Sequence, residues 1–114
     1  MPAYGFAHLR TRRPHADILE YLERIQATLD PFEGRFLVHG PPLEILEGDW
    51  PGSMVLLQFP DVERARAWYH SPAYQEILRL RADHIDGDLV LVEGVGPDYD
   101  PRKRAAQLRA ELPG

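Results

Sequence analysis

The sequence predicts an α+β fold: a four-stranded antiparallel sheet with two helices packed on one face, in the order β-α-β-β-α-β. Three observations predict it. Apolar residues recur three and four apart from Ile18 to Leu29 and again from Val62 to Leu78, which is the helix period. Four short runs around Phe6, Phe36, Val55 and Val90 are rich in β-branched and aromatic residues and read as strands. Pro, Gly and Asp punctuate the chain between these segments, so the connections are short.

Each element follows from local chemistry. Tyr4 to Arg10 reads as the first strand and runs out through Thr11, Arg12, Arg13 and Pro14. From Asp17, the residues Ile18, Tyr21, Leu22, Ile25 and Leu29 share one helix face, with Glu20, Glu23 and Arg24 off it. Asp30-Pro31 and Gly34 stop that helix. Phe36 to His39 forms the second strand, Leu43 to Leu46 is expected to resume it, and Gly48 to Gly52 turns the chain back. Met54 to Phe59 is the third strand. Asp61 stands where an N-cap belongs, before a helix that buries Val62, Ala65, Trp68 and Tyr69. Ser71-Pro72 breaks that helix and caps another, which carries Tyr74, Ile77, Leu78 and Arg81. Asp86-Gly87 reads as a turn into the fourth strand, Leu89 to Val95. The expected division is a ferredoxin-like domain over residues 1–95 and a tail over 96–114, where Ala105, Leu108 and Leu112 suggest a short helix.

Composition excludes several classes of function. The chain has 114 residues and a net charge of −5, without a basic stripe, which argues against nucleic acid and anionic membrane surfaces as partners. It has no cysteine, so disulfides, thiolate catalysis and cysteine–zinc sites are excluded. No secretory leader pattern and no long apolar span is seen, and the expected location is the cytoplasm. No Gly-rich phosphate loop, His-x-His pair or Glu-x-x-His pair occurs, so neither cofactor nor metal is expected.

Alternation along the strands divides the sheet into two faces. Gly5, Ala7, Leu9, Phe36, Val38, Val55, Leu57, Phe59, Val90 and Val92 are all apolar or Gly and are assigned to the helix-packed core. Tyr4, Phe6, His8, Arg10, Arg35, Leu37, His39, Met54, Leu56, Gln58, Leu89, Leu91 and Glu93 form a mixed face. A face of that composition needs a cover, and a homodimer through the open sheet face supplies one. The ligand cavity is expected on this same face.

The candidate site residues follow. His8 and His39 fall near one end of the sheet, roughly 10 Å apart across the intervening strand, and are the candidate proton-transfer residues. Arg81 and His84, three apart on a helix, suit capture of an anionic group; a solvated helix end accounts for them equally well. Trp50 is a candidate cavity rim, with Met54, Gln58 and Glu93 lining the mixed face. The bland reading of the histidines is a polar cap on an apolar cavity, and that of Glu93 is an interface ion pair with Arg35. Two functions fit: a cofactor-free oxygenase or isomerase acting on a small, partly apolar molecule that can carry an anionic group, or a non-catalytic dimeric module that binds a metabolite or supports a larger complex.

Five blocks carry a family resemblance: Gly34-Arg-Phe-Leu-Val-His-Gly40, Leu43-Glu-Ile-Leu-Glu-Gly-Asp-Trp50, Val55-Leu-Leu-Gln-Phe-Pro60, Ala67-Trp-Tyr-His-Ser-Pro-Ala-Tyr-Gln75 and Asp88-Leu-Val-Leu-Val-Glu-Gly94. In that order they resemble domain of unknown function 1330, within the dimeric α+β barrel superfamily. The resemblance implies a homodimer whose sheets pack face to face, with a cavity in each protomer. It also implies relatives that include cofactor-free monooxygenases, haem-degrading enzymes and isomerases. The chain departs from the family pattern in His39, in the basic lead-in Arg10 to Pro14 and in its extra tail.

Overall fold

The computed structural model describes residues 1–114. The chain runs β1 (Ala3–Arg12), α1 (Ala16–Leu29), a 3-10 turn (Asp30–Phe32), β2 (Arg35–His39), β3 (Ser53–Phe59), α2 (Val62–Tyr69), α3 (Pro72–Ala82), β4 (Ile85–Glu93) and α4 (Pro101–Arg109). The strands form one antiparallel sheet in the order β2-β3-β1-β4. This is the ferredoxin-like α+β fold the sequence predicts.

The helix ends sit where the capping chemistry puts them. Asp61 accepts from the Arg64 backbone N–H at the start of α2, and Ser71 accepts from the Tyr74 N–H at the start of α3. His15 caps α1, its Nδ1 accepting from the Asp17 N–H at 3.0 Å. The core lies between the helices and one sheet face: Tyr21, Ile25 and Leu29 of α1, Ala65 and Trp68 of α2, and Tyr74 and Ile77 of α3 meet Ala3, Leu57 and Phe59. Each large apolar side chain so buried contributes about 1.5–3 kcal/mol.

Three expectations need correction. The segment Leu43 to Leu46 forms no strand; residues 40–52 are a connection without regular structure. Asp86-Gly87 is not a turn but part of β4, where Gly87 sits opposite Leu9. The faces of β4 are also reversed. Leu89 and Leu91 lie opposite Ala7 and Gly5, on the helix side, while Val90 and Val92 lie opposite Phe6 and Tyr4 on the open side and are 51% and 50% exposed. Glu93, opposite Ala3, therefore leaves the mixed face to which alternation assigned it. Leu89 to Val92 is apolar at every position, so its alternation carries no signal. Pairing decides: the small Gly5 and Ala7 leave room for leucines beside them.

A bulge does the same to β2. Phe36 pairs with Leu57 and Val38 with Leu56, leaving Leu37 as the extra residue. Beyond it the faces exchange, so Val38 joins the open face and His39, opposite Val55, turns to the helix side.

Gly52 is required by both conformation and space. Its φ is +89°, and a Cβ there would overlap the Leu9 carbonyl oxygen and lie 2.8 Å from Arg10 Cα. These are backbone atoms of β1 and cannot step aside. Gly52→Ala is expected to destabilise the domain by about 2 kcal/mol or more, seen as a thermal midpoint lower by roughly 8 °C or more.

Candidate ligand cavity

The space between the helix face of the sheet and α1 and α3 is not filled. Gly5 and Ala7 of β1 contribute little volume to the floor, and Ile18, Tyr21, Leu22 and Ile25 of α1 form the opposite wall. A cavity of about 500 Å³ remains, within the range of small-molecule sites. Of its 22 lining residues, 13 are hydrophobic. The charged ones are Arg10, Arg12 and Arg81, and no Asp or Glu lines it. Arg10 is paired with Asp88, whereas no carboxylate lies within ion-pair distance of Arg12 or Arg81.

The polar centre of the cavity is a trio. The hydroxyls of Tyr21 and Tyr74 are 2.9 Å apart, and Arg81 Nη2 reaches toward the Tyr74 hydroxyl at 3.5 Å. The Arg81 guanidinium carbon also stands 5.6 Å from the centre of the Tyr21 ring, in cation–π range. Helix geometry assembles the trio: Tyr74 and Arg81, seven apart, share a face of α3, and Tyr21 faces them from α1. Burial is the main cause that holds the Tyr21 hydroxyl well above the usual phenol range, with Tyr74 beside it adding to the shift. Burial works against the Arg81 charge, but the Tyr74 and Tyr21 oxygens outweigh it and raise the pKa above the ordinary guanidinium value. The trio is thus a fixed cation flanked by hydroxyl groups, an arrangement suited to a carboxylate or another oxyanion.

The shifted hydroxyl has a pH consequence. Unfolded tyrosine ionises near pH 10, while folded Tyr21 keeps its proton there. The stabilisation is fully present below about pH 10 and is lost as pH rises above it. Urea unfolding between pH 8 and 11.5 is expected to show that decline, and Tyr21→Phe to reduce it.

The structure places the sequence candidates as follows. His39 lines the cavity, stacked on Phe36 with ring centres 4.5 Å apart. His8 is at the same end of the sheet but on the opposite face, because of the Leu37 bulge. Its Nε2 donates to the Pro51 carbonyl at 2.7 Å, which fixes the tautomer, and its ring packs 4.5 Å from that of Trp50. Trp50 lies over the open face beside His8 and Phe6, its Nε1 buried without a hydrogen-bond partner. Met54 is opposite His8, and Gln58 accepts from Arg35 at 2.7 and 3.1 Å. None of His8, Trp50, Met54, Gln58 and Glu93 lines the cavity. The cavity within the single chain lies on the helix face of the sheet.

His84 stands outside the cavity wall, its ring stacked on that of His15 at 3.9 Å and its Nε2 3.0 Å from Asp17 Oδ2. Asp17 and the two histidines could converge on a cation. The His15 Nδ1 lone pair is already taken by the α1 cap, and the helix N-terminus places positive charge nearby. The cluster ties α1 to the turn before β4. Tyr21, by contrast, escaped the sequence reading, which took it as core; two tyrosines at facing core positions are the signal, since each buried hydroxyl needs a partner.

Residues 2–95 match the family described as domain of unknown function (DUF1330), and the chain belongs to that family. Among solved structures it is similar to a protein of unknown function from Rhodopseudomonas palustris, at 16% identity and TM-score 0.65, covering 84% of each chain. It is also similar to a dimeric ferredoxin-like protein of unknown function from Jannaschia sp. CCS1, at 17% identity and TM-score 0.53, covering 82% of this chain and 100% of that one. At these identities the likeness shows the fold alone. No curated protein matches the sequence. No helix is long and apolar enough to cross a membrane.

Proposed function

We propose that each protomer binds a small, partly apolar anion in the cavity between sheet and helices, with Arg81 holding the anionic group and Tyr74 and Tyr21 beside it. One observation carries this: in a chain of net charge −5, the cavity wall holds three arginines and no acid. A guanidinium without a carboxylate in a mostly apolar cavity is built for a charge that arrives with a ligand. Arg12 strengthens the field at the mouth. The half-exposed Val90 and Val92 on the open face, together with the dimeric Jannaschia relative, support a homodimer formed through that face.

His39 adds chemistry to this binding site. Histidine is the side-chain type that exchanges protons near neutral pH, and His39 is the one histidine on the cavity wall. It suits removal of a proton from an activated C–H of the bound anion and its return to a neighbouring carbon, an isomerisation. The alternative is a binding module without turnover.

Calorimetric titration with 2-naphthoate, a bicyclic carboxylate, tests the reading against 2-naphthylmethanol, which lacks the charge. The expected result is one carboxylate per protomer, bound at least about tenfold tighter than the alcohol. Equal affinities would remove Arg81 from the proposal. Deuterium uptake into an activated C–H acid bound in D2O, lost in His39→Gln with binding retained, separates an enzyme from a module.

A further inference from the structure

Helix α4 is out of place in a monomer. All nine of its residues are exposed. The Cα radius of gyration is 17.0 Å, against roughly 13 Å for a compact chain of this length. The tail therefore projects from the domain. A helix shorter than about 12 residues is marginal in water on its own, so this one needs a surface. Its sequence, Pro101-Arg-Lys-Arg-Ala-Ala-Gln-Leu-Arg109, is basic without an acid, and Leu108 is exposed beside the charges. Asp100 neutralises Arg102; Lys103, Arg104 and Arg109 form no ion pair.

A complementary segment exists on the same molecule. The connection between β2 and β3 carries Glu44, Glu47 and Asp49, all exposed and none in an ion pair. Between them Ile45 and Leu46 project into solvent, Leu46 being 83% exposed. One segment is basic with a leucine, the other acidic with an isoleucine and a leucine. Their points of attachment to the sheet are far apart in one protomer. The tail leaves β4 in the row of Ala3 and Phe59, while the connection enters β3 in the row of Ser53, and β2 and β4 are opposite edges of the sheet. From Ser53 on β3 to Glu93 on β4 the offset is two strand spacings by six residues, roughly 10 by 20 Å.

We infer that α4 docks on residues 43–49 of a second copy of this chain, a contact made twice by the two-fold axis of the dimer. This rests on the homodimer proposed above and names an arm that secures it. The occupant is assigned by charge: the helix gathers four of the chain's 13 basic residues, and the rest of the molecule is strongly acidic. An isologous interface pairs one patch with the other in both directions, so both unpaired segments are satisfied together.

The absence of native cysteine makes a direct test simple. The full chain carrying Leu46→Cys and Leu108→Cys is oxidised and run without reductant, beside each single variant. A covalent dimer from the double variant, absent from both single variants, is the expected result. An intrachain disulfide, or no cross-link in a chain that sediments as a dimer, overturns the arm and leaves the dimer standing. A wild-type chain that sediments as a monomer at every concentration overturns both. In the second arm of the test, Lys103→Glu, Arg104→Glu and Arg109→Glu together weaken dimerisation about tenfold at low salt. Glu44→Lys, Glu47→Lys and Asp49→Lys in the same chain restore it. An unchanged dimer whose α4 instead binds phosphatidylserine vesicles assigns the helix to a membrane surface and overturns the inference.

Discussion

Replacing Arg81 by leucine lowers the affinity for 2-naphthoate by roughly tenfold to a hundredfold, the worth of a charge-assisted hydrogen bond, and leaves the fold intact. The two halves of this expectation come from one fact. Arg81 has no carboxylate partner in the protein, so its removal leaves no acid buried and uncompensated. It removes together the cost of holding a guanidinium partly out of water and the Tyr74 and Tyr21 contacts that offset it. What is lost is the cation over the Tyr21 ring and the donor to Tyr74. The thermal midpoint of the variant stays near the wild-type value. Arg81→Lys keeps the charge but not the planar fork, so it recovers only part of the affinity. Titration of the three proteins with carboxylate and alcohol checks both halves. A leucine variant that binds the carboxylate normally would locate the anion elsewhere; one that unfolds would make Arg81 a structural residue.

The second large effect is on stability. Trp68 is 1% exposed, with ring centres 4.2 Å from Tyr74 and 5.5 Å from Phe59, and its Nε1 donates to Thr28 Oγ1 at 3.0 Å. It joins α2 to α1, α3 and β3 and lines the cavity. Trp68→Ala is expected to cost about 3–5 kcal/mol, the range for truncating a large aromatic in a core, out of a total of about 5–15 kcal/mol for an ordinary domain. Trp68→Phe keeps most of the volume and loses the hydrogen bond, so about 1–2 kcal/mol is expected. Thr28 does not become an orphan in either variant, because it still donates to the Ile25 carbonyl at 2.6 Å. Urea unfolding followed by circular dichroism measures both, and in the phenylalanine variant Trp50 is the remaining tryptophan.

These two residues also mark what the sequence makes legible. Trp68 is readable as core because it falls on the helical face of Val62 and Ala65. Asp61 and Ser71 are readable as caps because their side-chain oxygens can reach free N–H groups and little else competes. Arg81 stands out as a cation on an apolar helix face. The side of the sheet on which the cavity lies is not readable in the same way. It depends on a single extra residue, Leu37, that carries His39 from one face to the other, and no residue type there announces a bulge. It depends also on β4, where Leu89 to Val92 offers no polar residue to mark a face. Backbone pairing settles both, and pairing is a long-range property. The Tyr21–Tyr74 contact is long-range too, joining residues 53 positions apart.

The same reasoning explains why His8 and His39 act separately. A period-two reading puts them on one face, since each strand taken alone alternates. The pairing of His8 with Met54 and of His39 with Val55 puts neighbouring rows of β3 between them, and neighbouring rows point to opposite faces. His8 is then engaged in holding, through Pro51, the β2–β3 connection whose residues 43–49 are proposed to receive α4.

Anion binding on the helix face, at Arg81, underlies the proposed function. Chemical-shift mapping of the 15N-labelled protein during titration with 2-naphthoate tests it most directly. Saturable shifts are expected in the Arg81 Nε–Hε signal and in the backbone amides of Tyr74, Ile18 and His39. Shifts confined to His8, Met54 and Gln58, with Arg81 unmoved, would put the ligand on the open face and contradict it.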